Sequence, residues 1–152
     1  MHLSLIVLLR KVRTMNRSYT ELIALPTFEE RFKYLLMHGV IAEQTFAGQR
    51  WLNQVFYRSP EWRTCRRNII VRDNGCDLAC PDHEILGELV VVHHLNPITI
   101  DDVKNRSSKL FDPENLITIA DSTHKAITYG DESFLLRGKL IERFPNDTCP
   151  WR

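Results

Sequence analysis

Apolar positions along the chain change their period midway. Phe28, Phe32, Leu35 and Leu36 recur at i, i+4, i+7 and i+8, the spacing of one face of an α-helix. Thr27-x-x-Glu30 precedes them as a capping box, in which hydroxyl and carboxylate satisfy the first free N–H groups. A helix is expected from there to about Gly39. Ser18-x-x-Glu21 has the same form and opens a shorter helix that Pro26 stops. A third helix is expected over 45–57, burying Trp51, Leu52, Val55 and Phe56. Ser59 and Pro60 supply an N-cap and a first-turn proline for a fourth, which runs to about Arg72 and breaks at Asp73-Asn-Gly75. Trp62, Cys65 and Ile69 share one side of it; Arg63, Arg66 and Arg67 lie on another.

Beyond residue 75 the helical period gives way to β-branched runs. Ile85 to His93 reads as a strand, with Gly87 marking a turn or bulge, and it must stop at His94-Leu-Asn-Pro97. A polar loop from Asp101 to Asn115 closes in the turn Asp112-Pro-Glu-Asn115. Leu116 to Ala120 is a second strand. A helix carrying His124 follows, capped by Asp121 or Ser122 and ended by Gly130. Helices followed by strand, loop, strand and helix indicate an α+β fold.

The 152 residues, 43% hydrophobic and 26% charged, describe one folded domain and exclude a highly charged disordered chain. The apolar run from Leu3 to Leu9 is too short to span a bilayer. Its basic residues follow it, opposite to a secretory signal, so it is a first element or an extension, with Met15 an alternative start. No membrane contact and a cytoplasmic location are expected. Cys65, Cys76, Cys80 and Cys149 lack the paired spacing of a structural zinc site and are expected to be reduced.

The net charge of +1 conceals a division. Residues 1–75 hold 12 basic and 6 acidic side chains; residues 76–152 hold 8 and 13. Arg58, Arg63, Arg66, Arg67 and Arg72 fall within fifteen residues beside one acid, Glu61. Such a stretch is either a solvated basic face or a phosphate-contacting helix, for which the guanidinium fork is suited.

Three of the six histidines are His93, His94 and His124. Neutral imidazole binds metals and exchanges protons near neutral pH, and a strand pair packed on a helix can bring such residues together. His93-His94-Leu-x-Pro97, then Asp112-Pro-Glu-Asn115-Leu, then His124, resembles the HNH endonuclease motif, the His-Me or ββα-metal finger. From about Tyr19 to Asp147-Thr-Cys-Pro-Trp151 the chain is similar to small HNH proteins of tailed bacteriophages, and Arg72-Asp-Asn-Gly-Cys76-Asp-Leu resembles their approach to the first motif strand.

The resemblance implies an α+β fold in which a ββα-metal (HNH) finger is supported by N-terminal helices. It divides the chain into an extension (1–17), helical support (18–58), nuclease core (59–130) and a tail packing on the core (131–152). It implies His93 and His124 as ligands of one divalent ion (Mg, Mn, Ni, Co or Zn), His94 as general base, and Asn115 as the residue that holds the loop and orients His94. Arg63, Arg66, Arg67, Arg72 and Lys125 become candidate contacts to DNA phosphate. The implied activity is phosphodiester hydrolysis in a bacterial host cytoplasm, with phage packaging proteins as further partners. The alternative is a catalytically weak or inactive HNH-fold module that binds DNA or a packaging partner. Two departures stand out: Thr128, one turn after His124, is a poor ligand, and Ala120 and Thr123 stand where many such proteins carry a second cysteine pair. Asp121 is read as an N-cap, and His83 as a loop residue or a neighbour of the site.

Overall fold

A computed structural model of the chain describes residues 16–36, 50–81 and 83–135. Among the described residues, six α-helices and one two-stranded antiparallel sheet make a mixed α+β fold. In chain order these are α1 (Tyr19–Ile23), α2 (Phe28–Leu35), α3 (Arg50–Arg58), α4 (Pro60–Arg72), β1 (Val90–His94), α5 (Ile100–Lys104), β2 (Leu116–Ala120) and α6 (Asp121–Tyr129). Among the described residues no helix is long and apolar enough to cross a membrane. His38, Arg137, Cys149 and the apolar run 3–9 lie outside the described residues.

The local signals act where their chemistry predicts. Thr27 and Glu30 form the reciprocal capping box of α2. Ser18 caps α1 alone, because Glu21 turns away to accept from the Tyr34 hydroxyl at 2.6 Å. Ser59 and Pro60 start α4. Arg31, 9% exposed, donates to the carbonyls of Ile23, Leu25 and Leu78, and so fastens the α1–α2 hairpin to the turn around Ala79.

The sheet pairs Val90 with Ala120 through His94 with Leu116, and every residue of β2 is buried. Leu116 faces a cluster with Leu52, Phe56, Trp62, Ile69 and Val92, on the side of α3 and α4. Ile117 and Ile119 face a second cluster with Leu22, Phe32, Leu35, Ala126 and Ile127, on the side of α1, α2 and α6. A two-stranded sheet buried on both faces still has two open edges, whose outward N–H and C=O groups need partners. On β2, Asp73 accepts from Thr118 N at 2.8 Å, Leu78 N donates to Thr118 O, and Arg72 Nη2 donates to Leu116 O at 2.7 Å. On β1, Arg66 Nη2 donates to Val90 O at 2.8 Å. Side chains of α4 therefore stand where third and fourth strands would pair.

Several sequence expectations are corrected. Trp51 and Val55 are 65% and 62% exposed; the inward pair of α3 is Leu52 and Phe56, which reach α4, and nothing among the described residues covers the adjacent stripe. The first strand begins at Val90, not Ile85. Gly87 adopts φ +75°, open to glycine and strained for other residues, and the approach folds back so that Cys76 bridges Glu84. The polar stretch 101–115 contains α5, opened by a Thr99–Asp102 capping box, and two 3-10 turns, Ser108–Leu110 and Pro113–Asn115. Neither Asp121 nor Ser122 caps α6. Its N-cap is Ala120, the Glu88 carboxylate accepts from Ser122 N at 3.0 Å, and Asp121 pairs with Lys125.

Arg72 should be the most sensitive of the α4 arginines. Its guanidinium joins Asp73, Pro113 O and Leu116 O and lies 3.7 Å from the Tyr19 ring centroid. Lysine cannot reproduce that fork. Arg72→Lys is expected to lower urea stability by about 1–3 kcal/mol, while Arg63→Lys stays within about 0.5 kcal/mol of the parent. Equal midpoints for the two variants would remove Arg72 from the sheet-edge role.

Candidate metal and acid–base site

Side chains of successive strand residues point to opposite faces, so His93 and His94 part company. His93 turns toward α6, where its ring centroid lies 5.3 Å from that of His124 at an interplanar angle of 65°. His94 turns toward α4 and stacks on Trp62 at 5.3 Å and 19°. His93, His94 and His124 all line an open groove of about 390 Å³, whose wall also includes Tyr57, Trp62, Arg66 and Val90 to Val92.

The placement of α6 decides whether His124 reaches His93, and two polar contacts govern it. Glu88 holds the helix N-terminus from one side. From the other, the Thr123 hydroxyl donates to Asp77, which is 1% exposed and also accepts from Ala79 N. Asp77 lies between Cys76 and Cys80 in the sequence. A buried carboxylate and hydroxyl thus tie the 76–80 turn to α6, and Thr123 is one of the two positions read as lacking a cysteine.

His94 is 8% exposed, and its Nε2–H donates to the Leu110 carbonyl at 3.0 Å. A carbonyl can only accept, so the proton sits on Nε2 and the lone pair on Nδ1. Burial lowers the His94 pKa to about 4, against the smaller opposing effect of the Leu110 hydrogen bond. Burial likewise lowers His93, reinforced by His124, His94 and Arg17, and burial lowers His124. Near neutrality all three rings are uncharged, the form that accepts a proton or a metal.

Asn115 is 4% exposed and hydrogen-bonded at both ends of its amide. Its Oδ1 accepts from Asn96 N at 3.0 Å and Asn96 Nδ2 at 2.7 Å, and its Nδ2 donates to Lys109 O at 3.0 Å. The link to His94 is indirect: Asn115 fixes Lys109, and the next carbonyl, Leu110, meets the imidazole. Arg17 N and O bracket the Asn96 amide, while the Arg17 guanidinium donates to Leu95 O and Leu36 O. Residue 17 is therefore built into the turn that ends β1. Neither Arg17 nor the Leu110 carbonyl has a sequence signal. Trp62 is legible only as an apolar helix position.

The basic candidates separate by environment. Arg66 lines the groove and is anchored on Val90 O. Arg63 and Arg67 are exposed. Arg72 is engaged at the β2 edge. Lys125 Nζ lies 2.6 Å from the Asp121 carboxylate, which holds the ammonium above its ordinary pKa. His83 is exposed in the 76–84 turn, which its backbone closes onto Asp77 and Cys80, and it is not part of the groove wall. Among the described residues no three or more His, Cys, Asp or Glu side chains converge as a metal set. The neighbouring imidazoles of His93 and His124 are the side chains that could hold a metal here, and two such donors would suit an open site and not a closed four-ligand one. No protein family, curated protein or solved structure matches the chain.

The depressed histidine pKa values give a pH dependence of known sign. Between the folded value near 4 and the ordinary 6.5, the unfolded chain binds the His94 proton and the folded chain does not. Stability is therefore full above about pH 6.5 and falls as pH drops toward 4, by about 3 kcal/mol for His94. Urea midpoints of the metal-free chain from pH 7.5 to 4.5 should fall more steeply than those of His94→Gln. Parallel slopes would exclude a buried neutral His94.

Proposed function

We propose that the chain is a metal-dependent HNH endonuclease hydrolysing DNA phosphodiester bonds, and that β1, β2 and α6 form its ββα-metal finger. The observation that carries this reading is the division of labour at one groove. The His93–His124 pair lies on one face of the strand, and on the other lies a neutral His94 whose tautomer the Leu110 carbonyl sets. The ordered motif His93-His94, Asn115, His124 supports the same reading.

In the proposed reaction His94 Nδ1 takes a proton from water as the water oxygen bonds to phosphorus; the P–O3′ bond opposite breaks, and the departing 3′ oxygen takes a proton from solvent. A base so placed contributes roughly 10²–10⁴-fold. Trp62 and Leu110 hold the ring against rotation, so the lone pair need not be oriented during the reaction. Asn115 and Arg17 keep the turn after β1 and the Leu110 segment in register with it. Arg66 offers guanidinium hydrogens beside the groove to phosphate oxygen. A divalent ion held by His93 and His124 would supply several kcal/mol of charge stabilisation at the phosphate and the leaving oxygen.

A phage-encoded enzyme of DNA packaging, acting in the bacterial cytoplasm, is the setting we infer from the family resemblance. A non-cleaving module that grips DNA or a packaging protein is the second reading. It is favoured by the absence, among the described residues, of a third ligand beside the histidine pair.

Supercoiled plasmid incubated with Mg²⁺, Mn²⁺, Co²⁺, Ni²⁺ or Zn²⁺ separates the two. The parent is expected to nick or linearise it with at least one ion, and His94→Gln to lower the rate roughly 10²–10⁴-fold. DNA binding without cleavage under every ion would select the second reading. Arg66→Ala with Arg67→Ala is expected to weaken binding and to reduce the slope of log K against log salt by up to about 2. An unchanged slope would return both arginines to structural and solvated roles.

A further inference from the structure

The wall of the groove holds the consecutive residues Val90 to His94 of β1 and, among the described residues, none of β2. Successive strand residues face opposite ways, so one groove can touch the whole run only along the free edge of the strand. The ladder identifies the backbone groups on that edge. Opposed residues of an antiparallel pair either exchange both hydrogen bonds or exchange none. Thr118 N donates to Asp73 and Thr118 O accepts from Leu78 N, so neither group serves its ladder partner Val92. The N–H and C=O of Val92 therefore point away from β2, on the groove side. With a period of two the same holds for Val90, and its carbonyl accepts from Arg66 Nη2 at 2.8 Å.

An added strand would set one residue against this edge, giving its N–H to Val90 O and its C=O to Val92 N–H. Arg66 supplies the first half of that pairing from α4. Among the described residues nothing supplies the second half, an acceptor for Val92 N–H. Arg66 also disfavours a whole strand, because the carbonyl such a strand needs is already taken. What fits beside the guanidinium is an anionic oxygen, which gains a charge-assisted bond from the N–H groups that Val90 O leaves over. Backbone N–H groups are regular donors to nucleic-acid phosphate. We propose that Val92 N–H and Arg66 form a phosphate subsite on the β1 edge, both donating to one phosphate group of the nucleic-acid backbone. The phosphate lies on the Val90 side of the N–H, where Arg66 covers the neighbouring carbonyl. This rests on the nuclease reading and adds to it a main-chain donor, which no motif can display because every residue except proline carries one.

Nuclear magnetic resonance of the nitrogen-15-labelled full chain, with EDTA to suspend cleavage, reads the Val92 amide directly. In the free protein Val91 N–H, which pairs with Ile119, should exchange slowly with deuterium and Val92 N–H faster. A 12-base-pair duplex should move the Val92 amide proton downfield and slow its exchange roughly tenfold or more, with Val91 unchanged. Arg66→Ala should abolish that response and weaken duplex binding. Arg66→Lys, which keeps the charge and an N–H donor, should restore part of both, and melting curves establish that the variants are folded. A full Val92 response in Arg66→Ala overturns the shared subsite. So does a Val92 amide already protected in the free chain to an extent that rises with protein concentration, which would mean that a strand of a second copy covers the edge. If the parent cleaves plasmid with a metal ion and the duplex leaves Val92 unmoved, the subsite falls and the nuclease reading stands. If the duplex protects Val92 and no ion supports cleavage, the nuclease reading falls and the subsite stands. A parent that neither binds nor cleaves overturns both.

Discussion

The structure depends on closing the edges of a two-stranded sheet. Five residue pairs are too few to be stable in water alone, so helices cover both faces. That cover denies water to the outward backbone groups, each of which costs about 1–3 kcal/mol if left unpaired. Arg72, Asp73 and Leu78 pair Leu116 O and the Thr118 N–H and C=O on the β2 edge, and Arg66 pairs Val90 O on the β1 edge. Two arginines six residues apart on α4 thus reach opposite edges of the sheet that α4 packs against. With β2 paired at Leu116 and Thr118, a minimal sheet can hold histidines at the end of β1 in an environment dry enough to keep them neutral.

Alternation along β1 then separates two chemistries that the sequence writes side by side. The pairing His93–Ile117 and His94–Leu116 assigns one imidazole to each core cluster. A slip of one residue would exchange the faces. The contacts that prevent it lie at both ends of the ladder: Asp121 N on Leu89 O at one, and Leu95 N on Asn115 O with the Asn96–Asn115 side-chain pair at the other. Asn115 thereby acts on His94 through register and through the Leu110 carbonyl, without touching the ring.

What is legible in the sequence follows from how local the signal is. Thr27-x-x-Glu30 and Ser59-Pro60 act within one turn, and α2 and α4 begin where they predict. Leu116 to Ala120 is apolar or β-branched throughout because it is buried on both faces, and β2 matches it residue for residue. The short helix α5 is obscured because the Thr99 cap opens only five residues, Ile100–Lys104, with little apolar pattern. Ile85 to Leu89 is misread because β-branched and apolar residues describe an exposed turn as well as a strand when Leu86 and Leu89 stand 74% and 75% exposed. Trp51 and Val55 carry the same period as Leu52 and Phe56, and periodicity alone does not choose between adjacent stripes of one helix. Around the histidines, residue types and order are legible, whereas the Trp62 stack, the Leu110 carbonyl and the Arg17 brace are products of long-range packing.

The division of charge between the two halves also has a structural origin. Among the described residues of the second half, several acids act as backbone acceptors. Asp102 caps α5, Asp112 and Asp131 cap 3-10 turns, Glu88 serves α6, and Glu114 accepts from Thr20 of α1. In the first half Arg17, Arg31 and Arg72 donate to backbone carbonyls, with Asp73 pairing Arg72 as well. Much of the apparent dipole is therefore hydrogen-bonding chemistry written in ionisable side chains. Among the described residues of the groove wall, Arg66 is the cationic side chain beside neutral imidazoles, aromatic rings and valines. Under the proposed reading, recognition of a phosphodiester there depends on a few directed donors and on the ion held by His93 and His124. A broad basic surface is not required, and a net charge near zero is compatible with a nucleic-acid substrate.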